Sequence, residues 1–397
     1  MKLIPLPISA VLLLAIMGCG PKATPIGPGF IYQPDEREQR LWAANRDHST
    51  TIINSGVVYK DPDLHSYVQS VLSKVIGHHE IAYLPLRPNV IIIDAPAVNA
   101  LSLAHGDIVI HTGILGRIRN EAQLAMLLGH EVSHATHRHL YLELEQKYSS
   151  SGAYSYISVL SVIGGSNVHN LVEGLSRIMV MAAITGYSRE KEAEADRVGL
   201  TLMAQASYDP REGSKMFEAM LDAADKKDKE WNFFYSTHPK MESRVQSARQ
   251  LLRELPTELL SQANEIGEAR YLKHAIKLIH NEVERHVAQG KYALAEKTLG
   301  FLSMSRPEDS ATFALMGDLY RSRATSGDDQ RSADAYVRAL TIDSGCANAH
   351  KGLGFHYGKK GQKIQAIEHL KAFLEIAPSA ADSSYIRQYV EKLSSGN

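Results

Sequence analysis

The chain has 397 residues, a net charge of −1 at pH 7 and a pI of about 7.0. This balance lacks the basic excess that binds nucleic acid, so we expect no nucleic-acid partner. The length favours two or more domains. The two cysteines, Cys19 and Cys346, leave no pair for an intramolecular disulfide if Cys19 is modified.

The N-terminus has the features of an export signal. After a short basic start, residues 3–17 form an apolar run of about 15 residues, which is short for a membrane-spanning helix and typical of a secretory signal. The run ends at Gly18-Cys19, which resembles the bacterial lipoprotein cleavage box. That resemblance implies a signal over 1–18, then a lipidated Cys19 and a flexible tether over 19–45. A plain signal peptide with a chance cysteine is the alternative.

The glycine that follows Cys19 resembles an outer-membrane sorting signal of Gram-negative cells. The expected location is therefore the periplasm, on the inner leaflet of the outer membrane. The lipid anchor would be the sole contact with the membrane.

Farther along, apolar residues at helical spacing predict a helix from Leu64 to Ile76, and residues 89–94 are predicted to form a strand. Residues 107–111 alternate like an edge strand, which in zinc peptidases pairs with an extended substrate.

The sequence His130-Glu131-Val132-Ser133-His134 is the HExxH pattern of zinc peptidases. On a helix, the two imidazoles lie on one face and can bind one ion, while Glu131 can reach a water beside it. Asn120 is the predicted N-cap of this helix. Glycine is less favourable than alanine in the middle of a helix, so we expect Gly129 to allow a close backbone contact there. Three further histidines, at 111, 137 and 139, are interpreted as surface or packing residues.

A catalytic zinc site needs a third protein ligand and an open position. Glu192 and Asp196 are four residues apart in an acidic, alanine-rich stretch that predicts a helix. One of them can bind the metal, while the other holds the outer nitrogen of a ligating histidine. The alternative is a solvated, charged helix, and spacing alone favours this alternative.

The joint pattern resembles the HtpX and CAAX-prenyl-protease family of zinc metallopeptidases over roughly residues 35–252. It consists of HEVSH, the stretch SREKEAEADRVG, and His238-Pro239 followed by Arg244. The resemblance implies that Glu192 is the third ligand of one Zn²⁺ per chain and that Asp196 is its partner beside the ligands. It implies that His238 stabilises the oxyanion, aided by Arg244, or caps the metal in a resting state.

The same resemblance implies an α+β, mostly α fold, with a zincin-like metallopeptidase domain and a small sheet over 46–255. One departure is the turn Ala104-His105-Gly106, where the family has a Pro-Gly-Gly-like turn. Two apolar pieces, 148–172 and 178–185, lie between the metal-binding helices. They are interpreted as partly buried helices over the site, with a lid, a docking surface or membrane insertion as alternatives.

The C-terminal third has a sequence pattern typical of tetratricopeptide (TPR) repeats. Gly290, Gly327 and Gly361 are spaced 37 and 34 residues apart, and the TPR period is 34 residues. We expect a linker helix over 256–275 and an all-α TPR solenoid over 276–397 that ends in a capping helix. A generic helical bundle is the alternative.

This order of segments resembles the periplasmic BepA-type branch of the family. It implies a zinc endopeptidase that cuts misfolded or stalled envelope proteins and binds outer-membrane assembly proteins in the TPR groove. One alternative is a TPR chaperone or assembly factor with an autoinhibited metal site. A membrane-embedded prenyl-protein protease is disfavoured, because the sequence has no later obvious transmembrane stretch.

Overall fold

The computed structural model describes residues 32–77, 88–148, 187–222 and 241–395. Helices dominate these ranges, and three short strands lie early in the chain. The first elements are α1 (Glu36–Asn54), α2 (Pro62–Ile76), β1 (Val90–Ile93), β2 (Ala100–Ser102), β3 (Ile108–His111), α3 (Thr112–Leu115), α4 (Glu121–Thr136), α5 (His139–Tyr148), α6 (Arg189–Gln205), α7 (Arg211–Asp222) and α8 (Met241–Glu254).

A helical region follows. Its elements are α9 (Thr257–Gln262), α10 (Glu268–Ala288), α11 (Tyr292–Ser305), α12 (Ser310–Arg323), α13 (Asp328–Ile342), α14 (Ala347–Lys359), α15 (Lys363–Ile376) and α16 (Ser383–Ser395). The predicted fold class, a mostly helical domain with a small sheet before a helical region, is confirmed. Within the described ranges, no helix is both long and apolar enough to span a membrane.

The helix predicted from Leu64 onward is confirmed as α2. Asp61 caps it by accepting a hydrogen bond from the backbone N–H of Leu64 at 3.1 Å, and Pro62 occupies the first turn, where its missing N–H costs nothing. The residues at helical spacing, from Leu64 to Val75, are buried against α4 and the sheet. This packing fixes one side of the metal-binding helix.

The three strands form one sheet in the order β1–β3–β2, with β1 parallel and β2 antiparallel to β3. Ile92 and Ile110 belong to the large apolar core that also contains α2 and α4, whereas Ile91 and Val109 pack with Ile52 of α1. The sheet is therefore covered on both faces. The prediction of 107–111 as an edge strand is wrong, because β3 lies between β1 and β2 and pairs with both.

The helix α10 joins the helical region to the metal-binding helix. Arg270 forms two hydrogen bonds to the carboxylate of Glu121, the first residue of α4, at 3.0 and 2.8 Å. Tyr67 and Tyr208 donate to the same carboxylate at 2.8 Å each. Burial alone would raise the pKa of Glu121, but these hydrogen bonds hold it below its usual value. α10 thus continues across residue 275, the predicted domain boundary, as part of both regions.

Beyond α10, successive helices pack against one another in sequence order. Gly290, Gly327 and Gly361 lie just before α11, α13 and α15, and their φ angles of 73°, 83° and 73° are left-handed. The buried ring of Tyr336 lies between the backbones of Gly317 and Gly352, where an added Cβ atom would approach it to 2.4 and 2.2 Å. The region therefore repeats a helix–turn–helix pattern.

Candidate metal centre

Helix α4 presents two of the predicted metal ligands on one side. Asn120 caps it as predicted, accepting a hydrogen bond from the backbone N–H of Gln123 at 2.9 Å. The helix then runs to Thr136, and all of its residues are buried. His130 and His134 are one turn apart, so their side chains point in the same direction.

Helix α6 crosses α4 at a pair of glycines. A Cβ atom added at Gly199 would lie 2.8 Å from the backbone nitrogen of His130, and one added at Gly129 would lie 3.0 Å from the carbonyl oxygen of Gly199. The two backbones are in direct contact, which confirms the close approach predicted at Gly129. Because Glu192 lies about two turns before Gly199, this crossing brings its carboxylate to the histidines.

Replacing Gly199 with Ala is expected to destabilise the chain by about 1–3 kcal/mol, because the added methyl group would push the two helices apart. Gly300→Ala is a matched control in α11, where an added Cβ has no neighbour within 4 Å. There Ala should be neutral or stabilise by up to about 1 kcal/mol. Urea unfolding measures both variants, and equal stabilities would argue against the tight crossing.

Three buried donor groups converge between α4 and α6. The Nε2 atoms of His130 and His134 are 3.1 Å apart, and the Glu192 carboxylate oxygens lie 3.7 Å from His130 Nε2 and 3.4 Å from His134 Nε2. One ligand atom from each residue lies within 4.8 Å of the other two. Two imidazoles and one carboxylate form a donor set that suits zinc. The residues therefore fit the ion that the motif predicts.

Asp196 lies behind His130. One carboxylate oxygen, Oδ1, is 3.0 Å from His130 Nδ1, the ring nitrogen that faces away from the other donors. Burial alone would raise the pKa of Asp196, but the charge of Arg244 and the hydrogen bond with His130 hold it below its usual value. An ionised Asp196 accepts a hydrogen bond from Nδ1–H, which leaves Nε2 free to bind a metal.

Arg244, on α8, is buried against the carboxylates of the site. Its Nη2 and Nε donate to the two oxygens of Asp196 at 2.6 and 3.0 Å, and its Nη1 lies 3.2 Å from Glu192 Oε2. The guanidinium also stacks on Phe217, 4.4 Å from the ring centroid. Its Nη2 also lies 3.2 Å from Nδ1 and 3.4 Å from Nε2 of His130. Arg244 therefore contacts both acidic residues of α6 and one of the predicted histidine ligands.

Tyr187 was not among the predicted site residues. Its ring stacks on His134 with a centroid distance of 3.8 Å and an angle of 14°. Burial and the nearby carboxylates of Glu131 and Glu192 raise the pKa of its hydroxyl, so Tyr187 is neutral at ordinary pH. Glu131 itself is buried, with 1% of its surface exposed. No spacing rule connects Tyr187 with the motif, so the sequence carried no signal for this contact.

His139 was interpreted from sequence as a surface or packing residue, but it contacts a predicted ligand. Its Nδ1 lies 2.8 Å from the Nδ1 of His134, and its Nε2 lies 3.2 Å from Glu194 Oε2. It is also buried, at 1% exposure. His137 instead lies close to the carbonyl of Ser133, at 3.1 Å from its Nδ1.

The edge strand β2 ends next to the metal centre. Ser102 and Ala104 line a small cavity together with His134, Tyr187 and Trp42, and its volume of about 10 Å³ suits one water molecule. The turn that departs from the family pattern closes tightly, because the Gly106 N–H donates to the carbonyl of Leu103 at 2.8 Å and Gly106 has a φ of 108°. The β2 edge thus runs beside His134.

Comparison with known proteins agrees with this site. Residues 62–252 match peptidase family M48. This stretch is an M48 peptidase domain. The family resemblance inferred from the motifs is confirmed, and the M48 domain contains both histidines, Glu192, Asp196 and Arg244.

Three of the relatives that match are each similar to about half of the chain. The chain is 28% identical over 206 residues to the beta-barrel assembly-enhancing protease of Escherichia coli K12, covering 49% of this chain and 40% of that protein. It is 30% identical to the mitochondrial metalloendopeptidase OMA1 of Arabidopsis thaliana, covering 49% of this chain and 35% of the relative. For OMA1 of Schizosaccharomyces pombe the identity is 31%, with 47% and 53% covered. The match thus spans about half or less of each relative.

Several predicted features lie outside the described residues. These are the lipidation residue Cys19 with its signal, the site residue His238, and the two apolar pieces between 148 and 186. Their predicted roles stay predictions.

Proposed function

We propose that the chain is a zinc-dependent metalloendopeptidase in which His130, His134 and Glu192 hold one Zn²⁺. The observation that carries this proposal is the convergence of these three buried side chains within an M48 peptidase domain. The outer nitrogen of each histidine also has a hydrogen-bonding partner that leaves Nε2 directed to the shared position. The relatives named as proteases support the same activity.

A bound zinc ion would supply a Lewis acid for the scissile carbonyl and lower the pKa of an attacking water to about 7. Glu131 would take the proton from that water and deliver it to the leaving amine. Its burial next to His130 limits competition from bulk water. An extended peptide would add to the sheet beside β2, which lies at one end of the strand order and next to His134.

Asp196 and Arg244 would position these groups. Asp196 would keep His130 in the tautomer that binds metal, and Arg244 would hold Asp196 and Glu192 at fixed separation. Because Arg244 also contacts His130 Nε2, its predicted aid to the oxyanion stays a proposal beside this positioning role. His238 remains the proposed oxyanion group or resting-state cap.

We further propose that the protein acts in the bacterial periplasm, anchored through a lipid on Cys19. Its substrates would be misfolded or stalled envelope proteins, and its helical region would bind assembly proteins of the outer membrane in a TPR-type groove. Two points support this setting: the similarity to beta-barrel assembly-enhancing proteases, and the repeated helix–turn–helix pairs from α10 to α16.

The direct test is cleavage of casein by the chain lacking residues 1–19. We expect one zinc per chain, loss of cleavage when a chelator removes it, and recovery when zinc is restored. His238→Ala, assayed beside the wild type, separates the two roles of that residue. Higher activity in the variant indicates a resting-state cap, whereas loss of activity indicates a catalytic group. Absence of zinc from the wild type would contradict the proposal.

A further inference from the structure

His139 lies close to His134 only because the chain reverses after α4. On a continuous helix, a residue five positions after His134 would be rotated by about 140° from it and would point away. Instead α4 ends at Thr136, and α5 starts at His139. The Nδ1 atoms of the two histidines consequently face each other at 2.8 Å.

The reversal depends on Arg138, which has a left-handed φ of 57° without being glycine. Such a conformation is unfavourable for a side chain with a Cβ atom and persists where its surroundings impose it. Here Glu38 accepts two hydrogen bonds from Arg138, at 2.8 and 2.6 Å. The guanidinium also lies over the rings of Tyr32 and Tyr141. Helix α1 therefore holds the turn that places His139.

The hydrogen bonds fix the proton on each ring. For the Nε2 atom of His134 to bind metal, its Nδ1 must carry the proton and donate it to Nδ1 of His139. His139 must then carry its own proton on Nε2, which lies 3.2 Å from a carboxylate oxygen of Glu194. The hydrogen bonds that run from Glu194 through His139 to His134 are therefore consistent with one proton on each ring.

We propose that His139 is a positioning residue for His134, acting with Glu194 as a carboxylate–histidine–histidine relay. This role rests on the proposed zinc site. It makes α6 the support of both metal-binding histidines, since Asp196 holds His130 directly and Glu194 holds His134 through His139. The relay also explains why a buried imidazole, rather than an apolar side chain, lies beneath His134.

His139→Leu and His139→Gln test the relay in the full chain. The leucine removes the acceptor for His134 Nδ1–H, and zinc affinity should fall roughly 10–100-fold, with faster release to a chelator. The glutamine carbonyl can still accept that proton, so His139→Gln should recover most of the affinity. His356→Leu is the matched control, a buried histidine on α14 in the helical region, and should bind zinc as the wild type does.

The outcomes separate the relay from the proposed function. Wild-type affinity in His139→Leu, or a glutamine variant as weak as the leucine variant, would overturn the relay and leave the zinc peptidase intact. A wild type that binds no zinc would instead overturn the proposed function.

A measurement on the unsubstituted chain avoids any folding defect of the variants. NMR of the histidine ring nitrogens in the zinc-loaded wild type should find the proton of His134 on Nδ1 and that of His139 on Nε2. The opposite assignment for either ring would overturn the relay.

Discussion

Glu131→Gln is expected to bind one zinc per chain with wild-type affinity and to cleave casein roughly 10²–10⁴-fold more slowly. Glutamine has nearly the same shape, so the packing around this buried position should persist. Its neutral amide cannot take a proton from water, because the carbonyl oxygen that remains is far less basic than a carboxylate. The loss should therefore appear in the rate of cleavage and not in the metal content.

Glu258→Gln is the matched control for this substitution. Glu258 lies exposed on α9, away from the metal centre, and the same chemical change there should alter neither zinc content nor cleavage. A Glu131 variant that cuts casein at the wild-type rate would remove Glu131 from the role of base. Loss of zinc together with activity would mean that Glu131 acts in metal binding instead.

The local parts of the site follow from the sequence. The four-residue spacing of His130 and His134 fixes their common face, and the polar Asn120 marks where their helix begins. The unfavourable mid-helix Gly129 predicted a close contact, and Gly199 provides it. The first two inferences succeed because they depend on the geometry of a single helix. The third succeeds because a glycine that destabilises a helix is favoured where another backbone packs against it.

The parts that sequence analysis missed depend on changes of chain direction. His139 reaches His134 through the left-handed Arg138, and a helical pattern assigns residue 139 to the opposite side. Residues 107–111 were taken as an edge strand from their alternation, but β1 and β2 pair with β3 on its two sides. Such tertiary contacts leave no periodic signal in the sequence.

Arg244→Met is expected to destabilise the zinc-free chain by about 3–5 kcal/mol. Methionine can pack on Phe217 in place of the guanidinium. The lost stability therefore reports mainly the removal of the positive charge. Without Arg244, the carboxylates of Asp196 and Glu192 lose a cationic partner while both stay buried, at 1% and 3% exposure. Removing one partner from a buried ion pair leaves a charge that neither water nor protein compensates.

Arg249→Met is the matched control, because it removes an arginine from the same helix, α8, but at an exposed position. Arg249 pairs with Glu218 at 2.7 Å, but both side chains are well exposed, so the substitution should cost about 0–1 kcal/mol. Chemical denaturation of both variants with and without zinc gives the comparison. Bound zinc should reduce the penalty at Arg244, since the ion neutralises part of the charge on Glu192. Equal costs for the two variants, or a penalty at Arg244 that zinc does not change, would contradict the view that Arg244 serves the metal centre by holding its carboxylates together.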